Sequence, residues 1–124
     1  MPSRRPGVRF QDILENVQLI RDYLTGMDRA AFENDRRTRD AVERCLERIS
    51  EAAAKLGAEA ERLAPGPPWQ AVRSFGNIMR HAYDQVDATR IWEIVTRDLP
   101  VLESAASAAL RELDDDEPRR EEER

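Results

Sequence analysis

The chain has 124 residues, a formal net charge of −5 and one cysteine, Cys45. That length suits a single domain that buries its own core. One cysteine excludes an intrachain disulfide and a Cys-rich metal site, which fits a reducing, cytoplasmic setting. The negative sum argues against long-range steering of nucleic acid, but its distribution matters more. Residues 114–124 hold seven acids and three bases, so this stretch carries −4 and the remainder is close to neutral. No apolar run approaches the roughly 20 residues that span a bilayer. The basic N-terminus has no apolar segment behind it, so it does not read as a signal peptide. Ala, Arg, Glu and Leu dominate and strand-favouring residues are scattered, which predicts an all-helical chain.

Residues 1–7, with two prolines and a glycine, read as a flexible N-terminus. From Val8 the apolar positions Phe10, Ile13, Leu14, Val17, Ile20, Tyr23 and Leu24 have helical spacing. Gly26 supplies the stop, and Asp28 reads as the cap of a short turn to Phe32. A second long pattern runs from about Asp35 to Leu56, with Val42, Cys45, Leu46, Ile49, Ala53 and Leu56 on its apolar face. The opposite face alternates acids and arginines, as a solvated helix surface does. Gly57 ends or interrupts it, residues 58–63 add a short turn, and Pro65-Gly66-Pro67-Pro68 is a firm break.

Trp69 opens a third long pattern whose apolar side is Val72, Phe75, Met79, Ala82 and Tyr83. Asp87 caps a fourth, with Ile91, Ile94, Leu99, Leu102, Ala106 and Ala109 facing inward. Pro100 falls inside it and predicts a kink near Thr96. These four patterns predict an all-α, up-and-down four-helix bundle with short extra helical turns. The helical domain spans residues 8–113, followed by an acidic, disordered tail over 114–124.

The chemistry concentrates at Asn77-Ile78-Met79-Arg80-His81-Ala82-Tyr83, which holds the sole histidine. On a continuous helix, at about 100° per residue, Arg73, Asn77, Arg80, His81 and Asp84 share one polar stripe. Such a stripe is commonly just a solvated surface. One histidine with no cysteine cluster cannot close a metal site, so neither metal nor cofactor is expected.

Several segments together resemble the HEPN superfamily, most closely its HepT-like (DUF86) branch. They are Pro68-Trp69, Gly76-Asn77-Ile78-Met79-Arg80-His81-Ala82-Tyr83, Val86-Asp87, Ile91-Trp92-Glu93-Ile94-Val95 and Asp98-Leu99-Pro100, with Ile49-Ser50-Glu51-Ala52-Ala53 upstream. The resemblance covers about residues 8–112. It implies a metal-independent endoribonuclease that works as a homodimer with two sites facing one cleft. It also implies the toxin of a toxin–antitoxin pair, neutralised by a minimal nucleotidyltransferase (MNT) antitoxin, in some pairs by AMP transfer to a tyrosine. Carried over, His81 is the catalytic histidine, Asn77 the polar residue of the motif and Tyr83 the AMP acceptor.

The sequence departs from that pattern where arginine ordinarily precedes the asparagine: here the residue is Gly76. Arg80 and Arg73 are the two candidates to replace it. The alternative is a helical partner subunit, weakly active or inactive, that binds a nucleotidyltransferase-fold protein. A plain helical scaffold without a site is the third reading.

Overall fold

A computed structural model describes the backbone of residues 5–80 and 85–122, and side chains over 5–77 and 88–114. Every regular element among these residues is helical. His81 and Tyr83 lie outside the described residues, and of Arg80 only the backbone is described.

Pro6 begins α1 (Pro6–Tyr23), where its missing N–H costs nothing. Phe10, Ile13, Val17 and Ile20 bury one face of α1. Asp28 starts α2 (Arg29–Asn34) by accepting the Ala31 N–H at 2.9 Å. Asp35 starts α3 (Arg36–Leu56) in the same way, accepting the Thr38 N–H at 3.1 Å. Both carboxylates satisfy donors that a helix start leaves unpaired. α3 is the spine of the fold: it packs against α1 on one side and against the segments after Trp69 on another. Its Val42, Cys45, Leu46, Ile49, Ala53 and Leu56 are buried.

Gly57 ends α3 at φ 56°, a left-handed backbone that suits glycine, and the chain turns at once into α4 (Ala58–Leu63). After the proline-rich break, α5 (Trp69–Arg73) starts at Trp69. The Trp69 indole is buried, donates to the Ala64 carbonyl at 2.8 Å and meets the Phe10 ring edge-on at 6.4 Å. This one side chain ties the loop, α5 and α1 together.

The continuous third helix expected from Trp69 is not what forms. α5 stops at Arg73, Ser74 makes a turn, and α6 (Phe75–Arg80) starts afresh. Two causes are visible. The Ser74 hydroxyl donates back to the Gln70 carbonyl at 2.9 Å, a bond that bends helices. The Ser50 hydroxyl of α3 also enters the backbone between the two pieces.

α7 (Gln85–Glu93) docks on α2, where Thr89, Arg29 and Glu33 share hydrogen bonds of 2.9–3.1 Å. α7 runs into a π-helical turn (Ile94–Asp98) and then α8 (Leu99–Glu122). The wide turn stands where the kink near Thr96 is predicted. Pro100 has no N–H to give Thr96 and its ring crowds that carbonyl, and the turn before it opens, with Leu99 N–H reaching Ile94 O. α8 packs along α1, and an Arg21–Glu103 pair fastens the two at the surface. Its helical backbone continues past Asp114 into the acidic stretch. The all-α bundle predicted from periodicity is the fold observed, with breaks among the described residues at Ser74 and over Ile94–Asp98.

Candidate functional site

The segment leading to His81 is held at its start by three residues of other elements. Ser50 lies on the inward side of α3, only 7% exposed. Its Oγ donates to the Arg73 carbonyl at 2.7 Å and accepts the Gly76 N–H at 3.3 Å. Those are the two kinds of group that a helix break leaves over: a carbonyl at the end of α5 and an N–H at the start of α6. In an unbroken helix the Arg73 carbonyl would take the Asn77 N–H. Here that N–H goes to Ser74 O at 3.0 Å instead.

Arg73 turns back toward the α3–α4 corner. Its guanidinium donates to the Gly57 carbonyl at 2.7 Å and grips both oxygens of Glu61. These hydrogen bonds hold the Glu61 carboxyl below its ordinary value of 4.5. The structure therefore does not bring Arg73 and Asn77 onto one helical stripe. The predicted line through Arg73, Asn77 and His81 assumed an unbroken helix, and the turn at Ser74 separates its first member from the second. Asn77 is exposed on the first turn of α6, whose backbone carries on to Arg80.

Beside this break lies a cleft of about 350 Å³ lined by Glu47, Ser50, Glu51, Ala54, Arg73 and Gly76. Gly76, where the resemblance wants an arginine, opens on this cleft. Glu51 has a second cleft on its other side, toward Arg9, Asp12, Asn16, Arg48 and Lys55.

Cys45 is buried, and desolvation pushes its thiol above 9.0, away from the thiolate a nucleophile needs. Among the described residues no three His, Cys, Asp or Glu side chains group to hold a metal ion. Among them, too, no helix is long and apolar enough to cross a membrane.

The sequence did not mark Ser50, Gly57 or Glu61 as parts of this region. For Ser50 a signal was there. It sits four residues after Leu46 and three before Ala53, a polar residue on the inward stripe of α3. Glu61 carried none, because its partner Arg73 is twelve residues away across the proline-rich loop.

Residues 13–109 match the model of one family, described as ribonuclease HepT-like. The chain belongs to that family. The match runs from α1 to α8 and takes in Ser50, Arg73, Asn77, Arg80, His81 and Tyr83. A protein of Thermococcus cleftensis named "Probable ribonuclease HepT" is 33% identical over 75% of this chain and 84% of its own length. A Methanocaldococcus jannaschii protein named "Putative RNase" is 32% identical over 81% of this chain and 92% of its own. A similarly named protein of Caldanaerobacter subterraneus is 25% identical over 87% of this chain and 96% of its own. No solved structure matches the chain.

Proposed function

We propose that this HepT-like chain is a metal-independent endoribonuclease, the toxin of a toxin–antitoxin pair, with His81 as its catalytic residue. The observation that carries this reading is the family match over residues 13–109, which includes the segment holding the chain's one histidine. The names of the relatives, ribonuclease or RNase, agree with it.

The chemistry asks little of the protein. The His81 imidazole takes the proton from a ribose 2′-OH as general base. The 2′-oxygen attacks the neighbouring phosphorus, the bond to the 5′-oxygen breaks, and a 2′,3′-cyclic phosphate remains. A second imidazole, from His81 of another copy in a homodimer, protonates the departing 5′-oxygen. This division of labour lets a chain with a single histidine supply both base and acid. Charge gathering on the phosphoryl oxygens needs a guanidinium. Arg73 is already engaged by Glu61 and Gly57, which favours Arg80 for that role. Asn77, exposed on α6, orients the phosphate or the imidazole.

The antitoxin of this reading is an MNT-type nucleotidyltransferase in the same cytoplasm. It silences the toxin by moving AMP from ATP to the Tyr83 phenol oxygen, with release of pyrophosphate. Mass spectrometry of Tyr83 after co-expression with an adjacent nucleotidyltransferase tests this. A neutralised complex with unmodified Tyr83 would mean inhibition by binding alone.

A second reading, a partner subunit without chemistry of its own, is favoured by two observations. Gly76 stands where the family's arginine is expected, and Arg73 is held at the α3–α4 corner. Purified protein incubated with RNA, with and without the His81→Ala change, separates the two: the second reading predicts no cleavage from either.

A further inference from the structure

We infer that Ser50 is a positioning residue for RNA cleavage: its hydroxyl sets the break between α5 and α6 and so aims the segment that leads to His81. The inference rests on the ribonuclease reading for its consequence, but its geometry stands independently of that reading.

Ser50 is buried as a residue, and its Oγ makes one bond of each kind, donating to Arg73 O and accepting from Gly76 N–H. A hydroxyl has one proton and two lone pairs, so a single oxygen can serve both broken helix ends. Alanine can serve neither. Cysteine keeps nearly the same volume but is a weak donor and a weak acceptor.

The placement makes this more than a stability contact. Gly76 is the second residue of α6. The hydrogen bond to Gly76 therefore ties the α6 backbone to α3 one residue before Asn77. Arg80 and His81 follow within the next five positions. On the other side of the break, the Arg73 side chain ties α5 to Gly57 and Glu61. Ser50 fixes where α6 begins, and Arg73 anchors the piece it leaves. An error in that direction grows along α6 toward the reacting group, and a displacement of about 1 Å at such a group costs up to about 100-fold in rate.

The experiment uses the purified full chain and compares Ser50→Ala, Ser50→Cys and Ser50→Thr with the unaltered protein and with His81→Ala. Two readouts are taken: steady-state cleavage of a labelled single-stranded RNA, and amide hydrogen exchange at Gly76. Ser50→Ala and Ser50→Cys should lose about 10- to 100-fold in kcat with little change in KM, since aim is lost and binding is not. The pH optimum should stay in place, because the base is unaltered. Ser50→Thr, which keeps the hydroxyl, should recover most of the rate. The Gly76 amide should exchange faster in the Ala and Cys variants and nearly as before in Thr. Ser50→Ala cleaving at the unaltered rate, or showing unaltered Gly76 exchange, would overturn the inference. Cleavage equal in the unaltered protein and His81→Ala would instead overturn the ribonuclease mechanism, and Gly76 exchange would still decide whether Ser50 holds the break.

Discussion

Arg73 and Glu61 join α5 to α4 across the proline-rich loop, and the same guanidinium holds the Gly57 carbonyl where α3 ends. This relationship gives Arg73 a structural task, and the proposed mechanism assigns the phosphate to Arg80. Arg73→Ala should lower the melting temperature by roughly 4 °C, the effect of about 1 kcal/mol in a chain of this size. It should leave kcat for RNA cleavage within a few-fold. Arg80→Ala should do the reverse, costing about 100-fold in kcat with little change in melting. Thermal unfolding and steady-state kinetics of the two variants check the assignment, and a large kcat loss confined to Arg73→Ala would reverse it.

The Arg73–Glu61 pair also has a pH signature. The folded-state pKa of Glu61 is lowered by hydrogen bonds from Arg73, so the pair's contribution is complete above the ordinary value of 4.5 and disappears as pH falls through the lower, folded value. Glu61→Gln should therefore unfold at lower urea than the unaltered protein near about pH 7, and the difference should shrink below about pH 4. Urea midpoints at several pH values measure it. A difference that grows on acidification would contradict the sign.

Gly76 offers a test by gain rather than loss. It opens on the cleft between α3 and α5, at the position where the resemblance places arginine. Gly76→Arg should raise cleavage by about tenfold or more, if a guanidinium there supplies charge to the phosphate. The Gly76 N–H that the Ser50 hydroxyl accepts belongs to the backbone, so a side chain at position 76 can leave it in place. Cleavage assays of Gly76→Arg alone and with His81→Ala check that any gain depends on the histidine.

The Trp69 indole predicts a purely structural effect. Trp69→Phe removes the donor to the Ala64 carbonyl, whose residue is 2% exposed. Leaving that acceptor unpaired costs about 1–3 kcal/mol. Denaturant titration should show the loss with an unchanged m-value, and RNA cleavage measured well below the melting temperature should be little altered.

How much of this was legible in the sequence follows from the range of each interaction. Helix-period spacing located α1 and α3, and the capping role of Asp28 depends on neighbours three residues away, so it too could be read directly. The helical class and the family were legible for the same reason: they rest on long, strongly periodic segments and on a run of residues from Gly76 to Tyr83. The break at Ser74 was not legible, because half its cause is local and half comes from Ser50, which lies twenty-three residues away from Arg73. Periodicity through Val72, Phe75 and Met79 survives a short interruption, so the apolar pattern looks continuous where the backbone is not. The π turn before Pro100 was half legible: proline announces a disturbance but not whether the helix bends or widens. At the site, residue types pointed to Arg73 and Asn77 as neighbours on a stripe. Only the tertiary partners Gly57 and Glu61 reveal that Arg73 faces another way.

Metal-free cleavage of RNA by His81 is the step on which the proposed function rests. The most direct measurement is cleavage of a labelled RNA by the purified chain in excess chelator, unaltered and as His81→Ala, with the new ends identified. The expected result is cleavage that leaves 2′,3′-cyclic phosphate ends and falls by about 10²- to 10⁴-fold in His81→Ala. Cleavage that requires a divalent metal, or that proceeds equally without His81, would contradict it.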